Sequence, residues 1–196
     1  MTTIIGLRTS GYNVIYADTA ITSDNGTLLG HTSKVIKCGD LFMGIAGPFS
    51  IISAIANTLD DFVPDWGDWD SNSLFKMISD LNQELIKSQG ISPIESDWGQ
   101  DLHFHAIIAT PTGMWKVLSG REVVPVGLYG AVGSGAMYAL GALATNFGSP
   151  FGDVSSVVYT DGVKDSMVKV MQTVSMFDPG TKNCETFCIG VRNATN

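Results

Sequence analysis

Thr2 follows Met1 directly, and a compact set of polar residues follows it. Asp18 stands in Tyr16-Ala17-Asp18-Thr19, Lys34 in Thr32-Ser33-Lys34-Val35, and Gly47 in Gly44-Ile45-Ala46-Gly47. Initiator methionine is usually removed before a small residue, and removal would leave a threonine that carries its own base. Its Oγ would be the nucleophile, and its free α-amine, with a reference pKa of about 7.7–8.0, the proton acceptor. No other residue of the chain is a better-equipped nucleophile, and the chemistry this points to is acyl transfer.

The elements that must position these residues alternate in blocks. Residues 3–8, 13–17, 34–37 and 41–46 read as strands separated by the turn signals Ser10-Gly11, Asp24-Asn25-Gly26 and Gly39-Asp40. Gly47-Pro48 opens a helix with Ile51, Ile52, Ile55, Ala56 and Leu59 at helical spacing, and Asn72-Ser73 caps a second with Leu74, Ile78, Leu81 and Leu85. Residues 89–100 read as a polar loop. Residues 103–110, 114–118 and 123–128 read as strands, Gly133-Ser134-Gly135 opens a helix to about Asn146, another runs near 161–176, and 186–191 closes as a strand. Strands, two helices, strands, two helices and a strand predict an α+β fold, a four-layer αββα sandwich of two antiparallel sheets flanked by helix pairs. A doubly wound parallel sheet does not fit this order.

The 196 residues suit a single domain, 1–196, with a full hydrophobic core. The net charge of −8 is concentrated: ten of the 19 acidic side chains lie in residues 60–101, against only Lys76 and Lys87. Clustered Lys and Arg are absent, so nucleic-acid binding is disfavoured. Residues 123–152 carry no charge, but Pro125 and six glycines and serines from Gly127 to Gly141 interrupt the run, so a membrane span is rejected. No signal peptide is expected, and the odd count of three cysteines fits a reduced, cytoplasmic protein.

With these residues quoted, the chain resembles the proteasome β-type subunit family of N-terminal-nucleophile hydrolases, most closely the bacterial HslV peptidases. Thr2-Thr3-Ile4, Asp18, Lys34-Val35, Ala46-Gly47, and Ala131-Val132-Gly133-Ser134-Gly135 followed by Tyr138-Ala139-Leu140 carry the resemblance over about residues 2–190. It implies a threonine peptidase with Thr2 as nucleophile. Lys34 would lower the pKa of its Oγ, Asp18 would hold Lys34, and the Gly47 N–H would donate to the oxyanion. Ser134 would help the α-amine and a water exchange protons. It implies no cofactor for the chemistry, a possible sodium ion on backbone carbonyls of Gln172, Ser175 and Asp178, and a P1 pocket of Ile21, Thr32, Ile36 and Ile45. The position of a supporting carboxylate in the proteasome branch aligns with Ser175. The resemblance further implies a homo-oligomeric ring acting on unfolded polypeptides, with an ATP-dependent unfoldase as partner.

Other readings stand beside these. Retained Met1 would block the amine and leave an inactive ring scaffold, and a monomer or dimer would favour an amidohydrolase acting on a small amide. Gly133-Ser134-Gly135 lacks the third glycine of a dinucleotide loop, and Ser134 also reads as a helix N-cap. His103 and His105 read as a structural or exposed pair, Cys184 and Cys188 as buried thiols rather than a metal site. Trp66 and Trp69 read equally as a partner contact or as part of a capped loop.

Overall fold

Two strands that are apolar on both faces seed the two sheets. β1 (Thr3–Arg8) and β6 (Leu41–Ala46) are buried almost throughout, as strands covered on both sides must be. The computed structural model describes residues 2–23, 27–63, 69–88, 90–96, 99–119 and 121–190. Met1, the expected turn at 24–26 and Trp66 lie outside them.

The remaining elements follow in order: β2 (Tyr12–Ala17), β3 (Ala20–Thr22), β4 (Leu28–His31), β5 (Val35–Cys38), and, after β6, α1 (Phe49–Thr58) and α2 (Ser71–Ser88). Then come β7 (Ile94–Ser96), β8 (Gly99–Asp101), β9 (His105–Ala109), β10 (Met114–Leu118), β11 (Glu122–Pro125) and β12 (Tyr129–Gly133). α3 (Ala136–Phe147), α4 (Asp161–Phe177) and β13 (Glu185–Gly190) complete the chain. One sheet has the order β12-β1-β2-β13 and the other β11-β10-β9-β6-β5, with antiparallel pairing throughout; β3-β4 and β7-β8 form separate hairpins.

Three apolar layers hold this sandwich together. Ile4, Ile15, Val35, Ala46, Ile107 and Val132 pack between the two sheets. Ile45, Ile52, Ile55, Leu74, Ile78 and Leu81 join the second sheet to α1 and α2. Ile5, Leu7, Tyr16, Leu143, Met167 and Val174 join the first sheet to α3 and α4. The expected four-layer αββα sandwich is the observed architecture. Among the described residues no helix is long and apolar enough to cross a membrane.

Three local expectations change. The uncharged run holds an extra strand, β12, which pairs with β1 at Thr3↔Gly133 through Leu7↔Tyr129. The polar loop at 89–100 contains β7 and most of β8, paired at Glu95↔Gln100. Helix α2 begins at Ser71, and the capping exchange is made by Asp70: Ser73 N donates to Asp70 Oδ1 at 2.7 Å and Asp70 N to Ser73 Oγ at 2.9 Å.

Candidate active site

Strand register brings the site together. Pairing of Thr3 with Gly133 puts Ser134 beside Thr2, and pairing of Ile4 with Ala17 puts Asp18 beside Thr3. Lys34 arrives from the other sheet, its carbonyl accepting from Ile45 N at 2.8 Å. Thr2, Asp18 and Lys34 are all buried.

Lys34 Nζ donates to Thr2 Oγ1 at 2.9 Å and to Asp18 Oδ2 at 2.8 Å. Asp18 also accepts from Thr3 N at 2.7 Å and from Ala20 N at 3.2 Å, so its carboxylate is held by two backbone donors and one ammonium. Burial pushes the Asp18 pKa up from its ordinary value and pushes that of Lys34 down, while their ion pair opposes both shifts. A lysine beside a hydroxyl with its charge held by a carboxylate favours the alkoxide form of that hydroxyl.

A second polar chain begins at the Thr2 nitrogen. Thr2 N donates to Ser134 Oγ at 3.1 Å, and Ser134 Oγ lies 2.8 Å from Asp178 Oδ2 and 3.3 Å from Thr2 O. A hydroxyl has one proton, and the shorter contact assigns it to the carboxylate. Asp178 is buried and also accepts from Thr181 Oγ1 at 2.8 Å and Gly180 N at 3.2 Å. Thr181 Oγ1 in turn lies 2.6 Å from Thr3 Oγ1. Sequence reasoning aligned the supporting position with Ser175, three residues short of Asp178, and missed Thr181 altogether; no local pattern marks where α4 ends against β1. Two glycines make room for this arrangement. Gly133, at φ +96°, could not take a Cβ without overlapping the Thr2 carbonyl, and a Cβ on Gly135 would collide with Thr3 Oγ1.

Ser175 does not take the place of that carboxylate. It is exposed, within α4, and its hydroxyl donates to the Gln172 carbonyl at 2.7 Å. Gln172 is thus engaged by Ser175, and Asp178 meets the site through its carboxylate. The Asp178 backbone carbonyl accepts from Thr181 N at 3.0 Å.

Gly47 lies between β6 and α1, where the chain approaches the His103–Phe104 backbone. It borders two clefts that share Thr2. One, of about 260 Å³, is lined by Ile21, Thr32, Lys34, Phe49 and Ile52. The other, of about 470 Å³, is lined by His103, His105, Leu118 and Ser134. Of the expected P1 residues, Ile21 and Thr32 line the first cleft. Ile45 is fully buried against the α1/α2 layer, and Ile36 packs on the same layer, because strand alternation turns both away.

The remaining candidates separate. His103 and His105, expected as a structural or exposed pair, line the larger cleft. Cys184 and Cys188 are exposed rather than buried; on β13 it is Phe187 that turns to the core between the sheets. Trp69 is buried in the α1/α2 layer. Among the described residues no group of three or more His, Cys, Asp and Glu could hold a metal ion.

No protein-family model and no curated protein matches the chain. Solved structures do. The chain is similar to Thiobacillus denitrificans BPH in complex with epoxomicin, at 21% identity and a TM-score of 0.75 over 97% of this chain and 100% of that one. It is similar to Thiobacillus denitrificans BPH at 22% identity and a TM-score of 0.74, over 96% and 98%. It is similar to eukaryotic HslV from Trypanosoma brucei at 16% identity and a TM-score of 0.69, over 96% and 99%. The structural neighbours are proteasome-like proteins of the HslV and BPH type, and the chain shares their fold.

Proposed function

We propose that this protein is a threonine-type endopeptidase whose nucleophile is Thr2 after removal of Met1. The observation that carries this reading is the Thr2 Oγ1–Lys34 Nζ–Asp18 Oδ2 chain, with contacts of 2.9 and 2.8 Å.

In this mechanism Thr2 Oγ attacks the scissile carbonyl and its proton passes to the α-amine. Lys34 stabilises the developing alkoxide, and the Gly47 N–H donates to the tetrahedral oxyanion, a type of contact worth about 2.7–4 kcal/mol. The C–N bond breaks as the α-amine returns the proton to the leaving nitrogen, and an ester remains on Thr2. Water then gives a proton to the amine and attacks the ester, which releases the acid and restores the hydroxyl. Ser134, held by Asp178, orients the amine and the water.

We further propose that the substrates are unfolded polypeptides cleaved inside a homo-oligomeric ring, served by an ATP-dependent unfoldase in the cytoplasm. Support for this part is the likeness in fold to HslV and BPH. That a protein of this fold was solved with epoxomicin makes that compound a suitable probe.

Hydrolysis of an unfolded protein and of short peptides by the native chain and by Thr2→Ala tests the reading. Loss of activity in the variant supports it. Equal hydrolysis contradicts it, and a ring that hydrolyses nothing in either form would make the protein a scaffold.

A further inference from the structure

Thr2 stands where two chemically unlike clefts meet. Lys34 lines only the smaller, with Ile21, Phe49 and Ile52; Ser134 lines only the larger, with His103 and His105. The Thr2 nitrogen faces the larger one, through its 3.1 Å contact with Ser134 Oγ. In the proposed peptidase the α-amine must hand its proton to the leaving nitrogen, so the leaving half of the substrate lies on that side. The smaller cleft then takes the acyl half.

His103 and His105 are the ionisable side chains of the larger cleft, and among the described residues no carboxylate lines it, although the chain carries 19 acidic residues. The nearest carboxylate of the site, Asp178, is engaged by Ser134, Thr181 and Gly180. The imidazoles stand edge to face with centroids 6.2 Å apart. Ser119 N donates to His105 Nδ1 at 3.3 Å, so in the neutral ring the proton sits on Nε2, which makes that nitrogen a donor. Leu118 also lines this cleft. A volume of about 470 Å³ is ample for one side chain and the adjoining backbone.

We infer that His103 and His105 form a leaving-side subsite that selects a carboxylate, borne either by an acidic residue just after the scissile bond or by the free C-terminus of a short leaving segment. This rests on the peptidase reading. Donation from the two rings does not require that either be charged.

The test compares kcat/KM for capped peptides that differ only in the first leaving-side residue, Glu against Gln, and for peptides that end there as free acid or amide. Thr2 labelling by epoxomicin is followed in parallel. The expected result is a preference of about tenfold for the carboxylate in at least one pair, reduced to near parity in His103→Leu and His105→Leu, which remove the donors. A preference in the first pair assigns an internal acidic residue, and one confined to the second assigns the chain end. Labelled Thr2 with no preference, or a preference kept in both variants, overturns the subsite alone. No labelling and no cleavage of any peptide overturns the peptidase reading and the subsite with it.

Discussion

Ser134 Oγ lies 2.8 Å from Asp178 Oδ2, so a single hydroxyl joins the Thr2 nitrogen to a buried carboxylate. If this relay orients the base, Ser134→Ala and Asp178→Asn will lower kcat by about a hundredfold or more with little change in KM. Thr181→Val, which removes only a supporting donor, will cost less. Steady-state kinetics on one peptide check this, and a change confined to KM would assign these residues to substrate binding instead.

The Asp18–Lys34 pair predicts a double-mutant result. Asp18→Asn or Lys34→Met alone leaves one buried charge unmatched and will destabilise by about 3–5 kcal/mol. The double variant will recover most of that stability while remaining inactive. Denaturant unfolding of the four proteins measures the coupling; additive losses would contradict it.

The pH profile follows from the same groups. Activity will rise with pH as the α-amine loses its proton, with a reference midpoint of about 7.7–8.0. It will fall again as Lys34 deprotonates, at a pH below the ordinary lysine value because burial lowers its pKa against the opposing pull of Asp18. The stability sign is separate: a lysine whose folded pKa is depressed makes the folded state gain stability as pH rises from that folded value to the unfolded one. A kcat/KM profile that stays flat on the acidic side would remove the amine as base.

Glycines of α3 and its approach offer a structural control. Gly135→Ala will destabilise the fold and disturb the site, because its Cβ would meet Thr3 Oγ1 and Val174. Gly141→Ala, with open space around its Cβ, will stabilise by about 0.5–1 kcal/mol. Thermal melts of both variants compare them directly.

The sequence is most readable where a pattern is local. β1, β6 and the four helices follow from apolar runs and helical spacing, and the two sheets from their order. β12 is harder to see because Gly130, Gly133 and Ala131 carry little strand signal, and its partner β1 lies more than a hundred residues away. Thr2 is legible from its type and its place after Met1, and the roles of Asp18 and Lys34 from the family resemblance. The Asp178–Thr181 branch is not, since it depends on how the end of α4 docks onto β1. Ile36 and Ile45 illustrate the same limit: their type suits a pocket, but strand alternation turns them to the helix layer.

The most direct measurement is intact mass of the protein after incubation with epoxomicin, followed by mapping of any adduct. A mass without Met1 plus one adduct on Thr2, absent in Thr2→Ala, is the result this account predicts. Protein that keeps Met1 and gains no adduct would contradict it.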